Sequence, residues 1–228
     1  ARSFQFAKPR QGAQTGKITG MGKLLEIHPT DPQPRLISEA TEILLAGGVV
    51  VYPTDSIYAI GCRLGEKNAI DRIRRLRRLD RKHLFTLVCL DLSEIAVYAK
   101  VDNQSYRMIR SMTPGPYTFI LPATKQVPKR LQHPRRRTVG IRVPTHPITR
   151  ALIEGLGEPL LSTTMQLPGD EVPLTEGFEI FERVGYEVDL VIDGGACGMQ
   201  PTSVIDLVGP YPEVIRQGMG KLDHLLGP

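Results

Sequence analysis

From Leu24 onward the chain alternates between two apolar rhythms. Short β-branched runs predict buried strands, and segments with an apolar residue every third or fourth position predict amphipathic helices. Leu36, Ile37, Ala40, Ile43 and Leu44 form one such helical face. Asp31 is expected as its N-cap, Pro32 as its first residue and Gly47 as its stop. A strand follows over 49–52 and ends at Pro53, which has no amide to donate to a ladder. A second helix is predicted over 68–79, with Ala69, Ile70, Ile73, Leu76 and Leu79 on one face. Residues 84–89 read as a strand, and Asp91 and Asp102 as caps of two further helices. Strands are expected over 118–121 and 138–143, and near 160–163, 189–192, 203–207 and 213–216. A helix capped by Thr145 should run to Leu156 and stop at Gly157, and another should lie near 178–184. This alternation, without an internal repeat, predicts one α/β domain with a mixed sheet over 24–228.

Residues 1–23 break the pattern. Arg2, Lys8, Arg10, Lys17 and Lys23 precede the first acid, Glu26, and apolar periodicity is absent. The segment is expected to be a flexible basic arm, either a transit-peptide remnant or an expression scar. A transit remnant would place the protein in an organelle, and otherwise the expectation is cytoplasmic. No apolar run approaches the length of a membrane span, so a soluble protein without a membrane partner is expected. The three cysteines, Cys62, Cys89 and Cys197, are widely spaced, and there is no CxxC pair. A reducing compartment is expected, with the sulfurs as small core residues and no protein-bound metal.

Charge sharpens the picture. The chain carries a net +5, yet residues 1–153 hold 26 Lys/Arg against 11 Asp/Glu, and the remainder 3 against 13. Such segregation predicts a basic face that meets a polyanion. One cluster comprises Arg72, Arg74, Arg75, Arg77, Arg78, Arg81 and Lys82, with the arginines sharing the polar face of the second helix. Guanidinium groups match phosphate oxygens in bidentate geometry, so nucleotide phosphates or an RNA backbone are natural partners. A second cluster, Lys125, Lys129, Arg130, Arg135, Arg136 and Arg137, is interrupted by Pro128 and Pro134 and should be mostly loop. A basic loop suits salt-sensitive contacts to nucleic acid. Arg142 sits instead within an apolar strand and needs an anionic partner, either a structural carboxylate or a ligand.

Several strand ends collect polar side chains. Thr54, Asp55, Ser56 and Tyr58 follow the strand at 49–52, where α/β proteins commonly bind ligands. A proline turn with solvated hydroxyls accounts for the same spacing equally well. Thr113 to Thr118, Ser162 to Gln166 and Thr202-Ser203 repeat the theme. No Ser/His/Asp elbow or dinucleotide fingerprint is present, and none of the five histidines is assigned a role.

Together these segments resemble the YrdC/YciO family. The resembling residues are 52–61, 113–118, 140–144, 159–164, 201–206 and 216–218, in family order from about Leu24 to Leu226. Residues 85–89, 91–94 and 128–131 are similar to the YciO branch. The resemblance implies a single twisted mixed-sheet domain with a basic concave cavity. Catalytic members make threonylcarbamoyl-adenylate there from threonine, bicarbonate and ATP with Mg²⁺, releasing pyrophosphate. The product serves threonylcarbamoyladenosine formation in tRNA, and members also bind double-stranded RNA. By motif position, Thr54, Tyr58, Arg142 and Thr202 would bind threonine. Arg77, Thr118, Ser162, Thr164, Ser203 and Arg216 would line the nucleotide side, with Arg77 and Arg142 catalytic. Arg74, Arg75, Arg78, Lys129, Arg130, Arg135, Arg136 and Arg137 are the expected RNA contacts. The chain departs from catalytic members at two motifs: Arg77-Arg78-Leu79 replaces Lys-x-Arg, and Thr164-Met165-Gln166 replaces Ser-x-Asn. A non-catalytic duplex-RNA or tRNA-binding module, or an accessory subunit of a ribonucleoprotein assembly, is the alternative.

Overall fold

The computed structural model describes residues 20–80 and 83–222. Most of the expected arm therefore lies outside the described residues, as do Arg81 and Lys82. The arm's expected limit is too long, because Lys23–Glu26 forms the first strand, β1. Gly22 admits the chain there. A Cβ at that residue would stand 2.3 Å from the Val188 carbonyl oxygen, and its amide donates to the Gly185 carbonyl at 2.6 Å.

The first half contains α1 (Pro34–Leu45), β2 (Val50–Tyr52), β3 (Ala59–Arg63), α2 (Lys67–Leu76), β4 (Thr86–Val88), α3 (Leu92–Tyr98) and α4 (Asn103–Met112). Then come β5 (Tyr117–Pro122), β6 (Thr138–Arg142), α5 (Pro147–Leu156), β7 (Leu160–Thr164), α6 (Gly177–Val184), β8 (Leu190–Asp193), β9 (Ser203–Asp206) and β10 (Glu213–Arg216). A short 3₁₀ turn, Lys129–Leu131, interrupts the expected basic loop. The predicted elements are present, with shifts at several ends. Asp91 and Asp102 cap α3 and α4, accepting the amides of Glu94 at 2.9 Å and Ser105 at 2.8 Å. Asp31 does not cap α1, which begins two residues later with Pro34 in the first turn. Thr145 likewise yields to His146, with Pro147 opening α5. Gly47 and Gly157 terminate their helices in the left-handed region, at φ 84° and 69°, where a residue without Cβ is least strained.

One mixed sheet runs in the order β1-β8-β2-β3-β7-β4-β6-β5-β9-β10. Its two faces differ. One buries Ile60, Leu87, Phe119, Ile141 and Leu161 against Ile70 and Ile73 of α2, Ile109 of α4 and Ile180 of α6. The other buries Val50, Tyr52, Leu160, Leu190 and Ile192 against Leu44 of α1 and Leu152 of α5. Burying each such side chain contributes about 1.5–3 kcal/mol. That second face changes character across the sheet. The registered row Gly61–Ser162–Thr86–Gly140–Ile120–Asp206 is mostly small or polar, and there the apolar packing gives way to a cavity.

Candidate functional site

The cavity measures about 240 Å³, just below the roughly 300–1,000 Å³ of small-molecule sites. Its floor follows from strand alternation. Thr86 of β4, Thr118 and Ile120 of β5, Gly140 and Arg142 of β6, and Ser162 and Thr164 of β7 all project into it. Tyr58, Thr202 and Arg216 close it at the sides. Hydroxyls therefore gather without a sequence motif linking them, because pairing brings distant strands into one row.

At one end stands an ion pair. Arg142 is buried, and its Nη2 donates to Asp55 Oδ1 and, at 3.4 Å, to Thr54 Oγ1. The carboxylate supplies the anionic partner that this strand arginine needs. The pair is single-pointed. Asp55 Oδ2, Arg142 Nε and the neighbouring His146 Nδ1 are buried without hydrogen-bond partners among the described residues. Buried polar atoms are rarely left so, and half-used pairs are costly. Burial holds the His146 imidazole below its ordinary value, with Arg142 acting the same way and Asp55 opposing it. Thr54 shapes the turn, its hydroxyl donating to the Ile57 carbonyl at 2.7 Å and accepting the Ser56 amide at 3.1 Å. Tyr58 donates to the Gly195 carbonyl at 2.8 Å, and burial raises its phenol well above the usual range.

Along the floor, Tyr52 donates to Ser162 Oγ at 2.7 Å. Burial pushes the Tyr52 phenol up to about 12, so it acts as a neutral donor. Thr118 and Thr202 share a 2.9 Å hydroxyl contact. Arg216 donates to the Thr202 carbonyl from Nε at 3.1 Å and Nη2 at 2.9 Å. Ser203 is a correction: alternation turns it away from the cavity. Its hydroxyl donates to the Gly220 carbonyl at 2.6 Å and accepts the Gly218 amide at 2.9 Å, so it holds the chain beyond β10.

Arg77 also departs from expectation. It lies past the end of α2, and it stands behind the wall rather than in it. Its Nε donates to the Gln166 carbonyl at 2.8 Å and its Nη1 to Thr163 Oγ1 at 3.0 Å. The two altered motifs are absorbed nearby. Leu79 packs on the core, Met165 is buried, and the Gln166 amide turns out to the Asp170 carbonyl at 3.0 Å. Sequence reasoning passed over His83, Thr86, Thr163 and Gly140. The row through Ser162 would have pointed to Thr86 and Gly140, but only once the register was known.

The basic clusters are more varied than a shared polar face. Arg72 pairs with Asp189 at 2.7 Å, and Arg74 lies 5.5 Å over the Phe85 ring, 3.8 Å from Asp71. Arg75 and Arg78 are on the surface side of α2 and its exit, Arg78 at a left-handed φ of 49°. Arg130 donates to the Gly65 carbonyl. Arg136 pairs at 2.5 Å with the buried carboxylate of Asp206. Arg135, Arg137 and Lys129 are all exposed. Burial pushes the Cys62 thiol up to about 12, Cys197 to about 11, and Cys89 upward as well. Among the described residues no helix is long and apolar enough to cross a membrane.

Comparison with known proteins agrees with this architecture. The profile described as Sua5_yciO_yrdC, Telomere recombination, matches residues 42–218. The chain is 51% identical to YciO of Escherichia coli K12 over 206 residues, covering 90% of this chain and 100% of that one. The crystal structure of E. coli YciO superposes with a TM-score of 0.86 over the same shares. A Haemophilus influenzae protein is 50% identical over 201 residues, covering 88% of this chain and 97% of that one. The crystal structure of P. abyssi Sua5 complexed with L-threonine is similar in fold. Its TM-score is 0.79 at 24% identity, over 86% of this chain and 57% of that one.

Proposed function

The chain belongs to the Sua5/YciO/YrdC family, and on that premise we propose that its cavity binds an amino acid and a nucleotide and joins them through a carbamate. Threonine, bicarbonate and ATP would give threonylcarbamoyl-adenylate, water and pyrophosphate, for threonylcarbamoyladenosine formation in tRNA. The observation that carries this reading is the half-used Asp55–Arg142 pair. An α-amino acid brings both charges that the pair lacks. Its carboxylate suits Arg142 and its ammonium suits Asp55, so entry would exchange one half-used ion pair for two satisfied ones. The complex of P. abyssi Sua5 with L-threonine supports the same choice of ligand.

The hydroxyl-lined floor running from Thr164 to Thr202 suits the nucleotide. Amine addition to bicarbonate gives a carbamate and water, and carbamate oxygen then attacks the α-phosphorus as pyrophosphate leaves. The protein's part is to hold the reactants in line and to aim donors at developing charge. Arg216 and the hydroxyls of Ser162 and Thr164 are the donors at hand. Mg²⁺ would enter as part of the nucleotide's own phosphate chelate.

The test combines ATP, bicarbonate and labelled threonine with purified protein and follows threonylcarbamoyl-adenylate by mass spectrometry. Wild-type protein is expected to form it. Arg142→Ala should reduce the rate by at least roughly 10²-fold, the scale on which a closed site responds to removal of one aimed donor. ATP and threonine binding without product would overturn the synthase reading.

A second reading rests on a separate observation, the cationic side chains of Lys129, Arg135 and Arg137 around the entry to β6. These suit contacts to an RNA backbone. RNA binding and synthesis are compatible in one protein. An RNA-binding module without synthase activity becomes the better account if no product forms.

A further inference from the structure

His83 lies in the cavity wall, and the proposed chemistry leaves it unused. Its Nε2 is 3.0 Å from Thr163 Oγ1, the oxygen that also receives Arg77 Nη1 at 3.0 Å. A hydroxyl offers one proton and two lone pairs. With one lone pair given to Arg77, Thr163 has two arrangements. When His83 is neutral at Nε2, Thr163 donates its proton to the ring. When Nε2 carries a proton, Thr163 accepts it on the second lone pair.

The surroundings of His83 decide which arrangement prevails. Arg74 of α2 and Arg77 beyond it face the ring, and Thr163 approaches from β7. The Phe85 ring meets it edge-on at 5.6 Å, and the Asp80 carbonyl accepts its amide at 2.9 Å. Burial first, then Arg77 and Arg74, hold the imidazole below its ordinary value. These influences favour the neutral ring in the free protein. A phosphate group entering beside it would offset the two arginines and favour the protonated ring.

Resting on the nucleotide reading above, we infer that His83 is a proton-linked anion contact: it takes up a proton as a phosphate-bearing ligand binds in the cavity that it lines. By linkage, affinity for that ligand rises as pH falls. Each unit by which the ligand raises the His83 titration makes binding about tenfold tighter at low pH than at high pH.

The experiment follows His83 ring resonances by NMR from about pH 5 to 8, the range in which histidine titrates, for free protein and with ATP or inorganic pyrophosphate. Calorimetric affinities for wild type and His83→Gln run over the same range. Comparing the two proteins removes the ligands' own protonation. The expected result is a titration below the ordinary histidine value that moves up with ligand, and a pH dependence of affinity weakened in His83→Gln. ATP binding with an unmoved His83 titration would overturn this inference and leave the nucleotide reading intact. A shift with pyrophosphate but no ATP binding would support the anion contact and remove the nucleotide. No binding of either probe would overturn both. The wild-type titration needs no variant to fold.

Discussion

Arg136 and Asp206 show how a surface cation can be structural. Asp206 is 3% exposed at its side chain, whereas Arg136 is 46% exposed, so composition alone casts Arg136 as a nucleic-acid contact. Removing it strands a buried carboxylate whose other oxygen accepts the Val208 amide at 3.0 Å. Arg136→Ala should cost about 1–3 kcal/mol, the range for an orphaned buried polar group. Asp206→Asn in the same background should recover part of that stability. Equal denaturation midpoints for wild type and Arg136→Ala would contradict the assignment. Arg142 was legible in the sequence as a cation needing an anion, since its neighbours in β6 are apolar. Asp55 as the partner was not, because 87 residues separate the two and only the fold brings them together. His83 was less legible still: one histidine in a basic segment carries no signal until Thr163 is placed beside it.

At the level of elements, the cavity depends on a missing side chain. A Cβ on Gly140 would stand 3.3 Å from Thr86 Oγ1 and 3.5 Å from Thr118 Cγ2. Gly140→Val suits a strand locally but fills the floor between β4 and β5. The variant should fold with a thermal midpoint near wild type and lose most of its affinity for ATP. Unimpaired ATP binding, measured by calorimetry, would show that the ligand does not use this floor. Element identity was legible wherever the signal is local. Asp91 and Asp102 were found because an N-cap acts on an amide three residues away. Asp31 misled because Pro32 and Pro34 both suit a helix start. The later start places Ile37, Ala40 and Leu44 inward, while the Asp31 amide bonds to His28 Nδ1 at 3.1 Å. The brevity of β4, three residues, likewise reflects pairing partners and not local propensity.

For the whole molecule, the basic excess is partly internal wiring. Arg72, Arg77, Arg130, Arg136 and Arg142 have structural partners, which leaves Lys129, Arg135 and Arg137 as the better test of RNA contact. Arg135→Ala combined with Arg137→Ala should weaken duplex-RNA binding at low salt. It should also reduce the slope of log affinity against log salt by about 0.9 for each phosphate that these side chains neutralise. An unchanged slope in a filter-binding or anisotropy titration would exclude this loop. Fold class was readable from alternating periodicities, but strand order was not, since identical patterns serve many orders.

That order bears on how the chain leaves the ribosome. β8 lies between β1 and β2, so β1 lacks its sheet neighbour until Leu190–Asp193 emerges. The cavity floor waits longer still, because β5 is covered on its outer side by β9. Synthesis must carry the unpaired edges of β1 and β2 until residue 190 emerges, and non-local pairing of this kind folds slowly. Rare-codon pausing before residue 190 would prolong that exposure, whereas pausing after β9 would cost the nascent protein little.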